Sequence, residues 1–126
     1  MRNSTILLMA LFLLLGCQKE VKTLEEGVFI RIENTSKYTY QNIKVSITEE
    51  KFYEPLAPGT SSAYQRFSKA FRYAYIELKI NNKRFSLQPI DYVGEEELKD
   101  GKYTYQLNVE DTSSLSRQLN LTFKKD

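Results

Sequence analysis

From Val28 onward, apolar and polar side chains alternate along nearly the whole chain. Val28, Ile30 and Ile32 are interleaved with Phe29, Arg31 and Glu33, and Ile43, Val45 and Ile47 with Lys44, Ser46 and Thr48. Ala74, Ile76, Leu78 and Ile80 keep the period, with Tyr73, Tyr75, Glu77 and Lys79 around them, and Phe85 and Leu87 flank Ser86. Tyr103, Tyr105, Leu107 and Val109 alternate with Thr104, Gln106 and Asn108, and Leu119, Leu121 and Phe123 with Asn120 and Thr122. Successive side chains of a strand point to opposite faces, so this alternation predicts strands with one dry and one wet face, the pattern of antiparallel sheet. A weaker run, Ser61 to Phe67, completes seven expected strands. No segment sustains a 3.6-residue period, and Lys69-Ala70-Phe71 forms at most a turn of helix.

The breaks between runs carry turn chemistry. Asn34-Thr35-Ser36, Ala57-Pro58-Gly59, Asn81-Asn82 and Lys99-Asp100-Gly101 supply residues that tolerate positive φ or bond their own backbone. Asn81-Asn82 joins two alternating runs directly, which predicts a tight hairpin. The pattern predicts an all-β domain over residues 27–126: an antiparallel β-sandwich of about seven strands.

The first residues follow another rule. Arg2 precedes an apolar run from Ile6 to Leu15, and Leu14-Leu15-Gly16-Cys17 ends with the only cysteine. A run of about 10 residues falls short of the roughly 20 that span a bilayer, and fits the core of a cleaved signal peptide, residues 1–16. The branched residue three before the cysteine, the small Gly16 and the thiol resemble a bacterial lipobox. That resemblance implies cleavage between Gly16 and Cys17, acylation of Cys17, and attachment to a membrane through that lipid alone. Two acyl chains hold a protein stably, since each buried methylene contributes about 0.8 kcal/mol. Residues 17–26 then form the lipidated terminus and a polar spacer. Gln18 is not the aspartate that marks inner-membrane retention in some Gram-negative lipoproteins, and Gln18-Lys19-Glu20 resembles the surface-export tag of Bacteroidetes lipoproteins. A plain charged linker reads equally well.

Ile30-Arg31-Ile32-Glu33-Asn34-Thr35-Ser36, Ile43-Lys44-Val45 and Leu56-Ala57-Pro58-Gly59-Thr60 resemble the opening of bacterial immunoglobulin-like adhesion modules, with Ser36 where glycine is frequent. Leu98-Lys99-Asp100-Gly101-Lys102-Tyr103 resembles the corner of transthyretin-like sandwiches, which implies that the tyrosine hydroxyl bonds nearby backbone. The segment from Phe71-Arg72-Tyr73-Ala74-Tyr75 through Leu87–Gly94 resembles small uncharacterised Bacteroidetes lipoproteins. These resemblances bear on fold; activity belongs to sites.

Composition narrows the chemistry. About 110 residues remain after residue 16, enough for one domain and one core without a disulfide. The net charge is +2 with both signs interspersed, which argues against a nucleic-acid partner. There is no histidine and no second cysteine, so nucleophilic catalysis and a zinc site lack their usual groups, and no cofactor is expected. Glu95-Glu96-Glu97 with Asp91 and Asp100 reads as a solvated loop, as a weak calcium site, or as the carboxylates of a small glycan-active enzyme if Asp91 and one of the glutamates converge.

Nine tyrosines fit a β-rich exported domain. Tyr73 and Tyr75, beside Arg72 and Lys79, are expected on one outward face, where tyrosine either simply favours the strand or offers contact area to a protein or carbohydrate. Phe29 is nominally outward, which suggests a covering loop such as 49–56, with Tyr38, Tyr40, Phe52 and Tyr53 as cover or contacts. The expectation is an outer-membrane lipoprotein, on the periplasmic side or at the cell surface. It is a binding or structural accessory module and not an enzyme. The alternatives are an inhibitor or immunity-type lipoprotein that projects loop 49–60, and a small glycan hydrolase.

Overall fold

The structure is a computed structural model and describes residues 26–89, 95–113 and 119–126. These form eight strands: β1 (Val28–Asn34), β2 (Gln41–Ser46), β3 (Glu50–Tyr53), β4 (Gln65–Phe67), β5 (Tyr75–Ile80), β6 (Lys83–Leu87), β7 (Gly101–Asn108) and β8 (Asn120–Lys125). There is no helix among the described residues, and Lys69-Ala70-Phe71 is irregular chain. One sheet has the order β4-β1-β7-β8 and the other β3-β2-β5-β6. All ladders are antiparallel except β1 with β7, which is parallel over Val28↔Gly101 to Asn34↔Leu107. The expected β-sandwich is therefore present, with one strand more than the alternation indicated.

The additional strand is β3, in the segment read as a covering loop. Its four residues place only Tyr53 in the core, too little to show a period. The Ser61–Phe67 run pairs regularly only over Gln65–Phe67. Higher up, the Ser62 side chain stands in for the ladder: Ile32 N–H donates to Ser62 Oγ at 2.9 Å, and Ser62 N–H to Ile32 O at 2.8 Å.

Between the sheets lie Ile30, Ile32, Ile43, Val45, Ile76, Leu78, Ile80, Phe85 and Leu107, all buried. Four tyrosines join this core, and each donates its hydroxyl to a main-chain carbonyl. Tyr40 reaches Leu107 O at 2.9 Å, Tyr53 reaches Ile30 O at 2.8 Å, Tyr103 reaches Lys99 O at 2.7 Å, and Tyr105 reaches Phe71 O. Tyr40 and Tyr53 come from the β2–β3 side and bond carbonyls of β7 and β1, so their hydroxyls tie the two layers together. A buried phenol without a partner would be costly, and these bonds let bulky rings fill the core. The Tyr103 bond is the one implied by the transthyretin-like corner.

Turn chemistry follows the sequence closely. Asn81 and Asn82 have φ of 50° and 65°, the left-handed pair of a type I′ hairpin, flanked by Ile80↔Lys83. Asn34 is fully buried. Its Nδ2 donates to Tyr38 O at 2.6 Å and Leu56 O at 3.1 Å, while its Oδ1 accepts from Ser36 N–H at 2.9 Å and Ser36 Oγ at 2.7 Å. Its backbone bonds Thr60 O and Gly59 N–H. The Asn34-Thr35-Ser36 turn and the Leu56–Thr60 turn are thus one hydrogen-bonded unit.

Candidate contact surface

The outer face of the β3-β2-β5-β6 sheet is built by the same alternation that fills the core. Ile43, Val45, Ile76, Leu78 and Phe85 point inward, so Lys44, Ser46, Tyr75, Glu77, Lys79, Arg84 and Ser86 point outward. Register sets them in rows: Phe52, Lys44, Glu77 and Ser86 across the middle; Glu50, Ser46 and Tyr75 at one end; Gln41, Lys79 and Arg84 at the other. Asn42, at φ 50°, sits at the irregularity between Gln41 and Lys44 that keeps Ile43 in the core.

Glu77 is the hub of this face. It accepts from Tyr75 Oη at 2.8 Å and lies 3.6 Å from Lys44 Nζ and 4.0 Å from Arg84 Nε. Lys44 also lies 3.8 Å from Glu50 and 5.8 Å from the centre of the Tyr75 ring. The Tyr75 hydrogen bond is the main cause holding the Glu77 carboxyl below its ordinary range; Arg84 and Lys44 add to it and partial burial opposes it. The same bond, with burial, pushes the Tyr75 phenol up. The ring is therefore held in one orientation before any partner arrives. Across β2, opposite Lys44, Phe52 is 64% exposed, the one large apolar side chain so exposed among the described residues. Covering a phenylalanine is worth about 1.5–3 kcal/mol, so a partner that buries Phe52 gains substantially.

The four expected contact residues do not form one patch. Tyr75 and Lys79 share the outer face, at opposite ends of β5. Arg72 and Tyr73 precede the strand, because β5 begins at Tyr75, and they line clefts at the end of the sandwich. One cleft, of about 370 Å³, is walled by Phe71, Arg72, Tyr73, Glu95 and Glu96. A neighbouring one of about 260 Å³ includes Ser46, Tyr73, Tyr75 and Glu95, so Tyr73 and Tyr75 share this cleft while Lys79 lies away from it. Ser46 Oγ and Glu95 Oε1 are buried there with no hydrogen-bond partner, but they are too enclosed for a ligand in the cleft to touch. Glu97 pairs with Lys69 at 2.9 Å. Among the described residues no group of three or more His, Cys, Asp or Glu side chains is placed to hold a metal ion. Gly16, Cys17 and Asp91 lie outside the described residues.

Sequence reasoning missed Lys44 and Glu77 as members of this surface, and named Phe52 only as a loop residue serving as cover or contact. Lys44 and Glu77 were legible as outward, but only the β2–β5 register puts them together. Phe52 was assigned to a loop that is β3. Phe29 is half-buried on the other sheet, opposite Arg66 and Lys102, and segment 49–56 does not cover it because β3 belongs to the second sheet. Tyr40 and Tyr53 are core, and Tyr38 packs against it.

No family model matches the chain, and no curated protein does so. A solved structure similar to it is the NMR structure of a protein from Eubacterium rectale, at 13% identity and a TM-score of 0.56. The match covers 79% of this chain and 92% of that one. At that identity the likeness concerns fold alone.

Proposed function

We propose that the chain is a lipid-anchored exported protein of the outer membrane whose β-sandwich acts by contact, as a binding or structural accessory module. The lipobox-like Leu14-Leu15-Gly16-Cys17 supports the anchor. The observation that carries the contact reading is the outer sheet face on which exposed Phe52 and a Tyr75 fixed by Glu77 and Lys44 stand on either side of β2. Aromatic rings set around a charged pair suit a protein surface, because rigid rings add contact area at little entropic cost.

Two measurements test this. In cells fed a labelled fatty acid, the parent should carry label and partition with membranes; Cys17→Ser should lose both. A Cys17→Ser product that stays acylated refutes the tether. Crosslinking in intact cells, followed by comparison with Phe52→Ala, tests the surface. The variant should fold as the parent does yet lose its crosslinked species, and unchanged crosslinking refutes the assignment.

A further inference from the structure

One rim of the sandwich is closed and the other open. At the closed rim the terminal strands β3 and β4 are stitched together: Gln65 donates its side-chain amide to Phe52 O, and Ser68 N–H donates to Glu49 Oε1 at 2.9 Å. At the opposite rim β6 and β8 are the terminal strands, and among the described residues no hydrogen bond joins them. Between them is a cleft of about 500 Å³, walled by Leu87 and Pro89 on one side and Leu119 and Leu121 on the other.

Among the described residues no strand lies beyond β6, so its edge is open to pairing. In a two-residue hairpin the flanking pair, here Ile80↔Lys83, exchanges both backbone bonds. The N–H and C=O groups of Arg84 and Ser86 then point away from β5 toward solvent. Sheet edges of this kind accept an added strand.

Charge selects the occupant. Lys79 lies directly opposite Arg84, with Lys83 next in the chain. Lys79 and Lys83 form no ion pair among the described residues, and Arg84 has only Glu77 at 4.0 Å, a carboxylate already engaged by Tyr75 and Lys44. Like charges facing across strands are unfavourable, and a cationic edge repels a second copy of itself. An acidic strand would relieve both.

We propose that β6 takes up, as a fifth strand of its sheet, an extended segment of a partner protein in which acidic and apolar residues alternate. The side chains of an added strand fall alternately on the two faces. Those on the outer face meet Arg84, with Lys79 one strand further in, while Lys83 stands at the turn on the inner face, opposite Ile80. Those on the inner face follow Phe85 and Leu87 over the apolar cleft. This assignment rests on the contact-module reading and supplies the chemistry of its partner.

The test uses the full chain purified in detergent. The probe is a labelled peptide of about ten residues, a long strand's length, that alternates glutamate and valine. Controls are the same composition in blocks and an alternating lysine–valine peptide. Fluorescence anisotropy should show uptake of the first peptide only, weakening as salt is raised. Amide exchange should slow at Arg84 and Ser86. Lys83→Glu/Arg84→Glu should weaken uptake at least about tenfold, the scale expected for reversing close charge pairs. Ser86→Pro, which removes an edge donor without touching the β5 ladder, should do the same, while Ser86→Ala keeps uptake. Circular dichroism confirms that each variant folds; should Ser86→Pro not fold, the charge reversal decides. Equal uptake of the block peptide, or uptake indifferent to the charge reversal, overturns the proposal. So does a Lys83→Ser/Arg84→Ser chain that self-associates from a parent that never bound peptide, since the cations then serve only to keep copies apart. A chain that ignores the peptide yet is acylated at Cys17 and crosslinks through Phe52 refutes the edge assignment alone.

Discussion

Asn34→Ala removes four side-chain hydrogen bonds from a fully buried site. The two carbonyls that lose Nδ2 are not wholly orphaned. Leu56 O still accepts from Tyr40 N–H at 2.9 Å, and Tyr38 O from Ser36 Oγ at 3.3 Å. Ser36 N–H, however, loses its acceptor outright. An unsatisfied buried group costs about 1–3 kcal/mol and a weakened one less, so the variant should lose about 3 kcal/mol. That is a large share of the roughly 5–15 kcal/mol typical of a domain. Asn34→Asp keeps both acceptor bonds but places a carboxylate against two carbonyls. Burial and those carbonyls raise its folded pKa above the unfolded value of about 3.9. Below that value both states are protonated, and the acid O–H replaces one lost donor. As pH rises above it, ionisation favours the unfolded chain, so the deficit grows and then levels off above the folded pKa. Urea unfolding followed by circular dichroism at pH 4 and pH 7 should show a pH-independent deficit for Asn34→Ala and a larger deficit at pH 7 for Asn34→Asp. A loss below about 1 kcal/mol for Asn34→Ala, or equal deficits at both pH values for Asn34→Asp, would refute the view that this side chain ties two turns together.

Other expectations follow the same physics. Burial pushes the Tyr53 and Tyr105 phenols far above their ordinary 10.0, so their contribution is intact below that value and is lost as pH rises beyond it. Absorbance titration should show these two ionising only as the fold is lost, and Tyr53→Phe should cost about 1 kcal/mol in urea unfolding. Gly101 holds φ +152°, a backbone conformation that L side chains rarely adopt, although an added Cβ would meet the Tyr103 ring only at ordinary contact distance, 3.7 Å. Gly101→Ala should therefore destabilise by about 1–3 kcal/mol, while Ser113→Ala, an exposed change, leaves the melting temperature nearly unchanged. Glu77→Gln should bring the Tyr75 phenol back toward its ordinary value in the same titration. Because the folded Glu77 carboxyl is held low, its contribution is present above the unfolded value and fades as pH falls through the folded one, so parent and variant should converge in acid.

The parts of the fold that were readable were those in which one residue's chemistry decides. Alternation over Tyr75–Ile80 and Val28–Asn34 marks a two-sided environment, and Asn81-Asn82 permits few backbones. β3 was not readable because only Tyr53 of its four residues is buried and the inward Lys51 position holds a charged side chain, which leaves no apolar alternation. The parallel β1–β7 ladder likewise depends on contacts across more than seventy positions, which no local pattern encodes. The candidate surface was half readable. Tyr75 and Lys79 face out by period, whereas Arg72 and Tyr73 precede β5, which starts one residue after Ala74, the first apolar position of the run. Tyr40 and Tyr53 looked like loop aromatics, and only the carbonyls of Leu107 and Ile30 explain why phenols occupy the core.

The position of β1 has a mechanical consequence. It lies inside its sheet, between β4 and β7, and runs parallel to β7 along its whole length. Tension applied to the residues that precede Gly27 while the opposite end is held acts along the strand axis. It loads the β1–β7 bonds in shear, so they resist together and do not open one at a time like a zipper. Single-molecule extension from that end should show one high rupture peak, higher than when the same domain is pulled so that β8 peels from its rim.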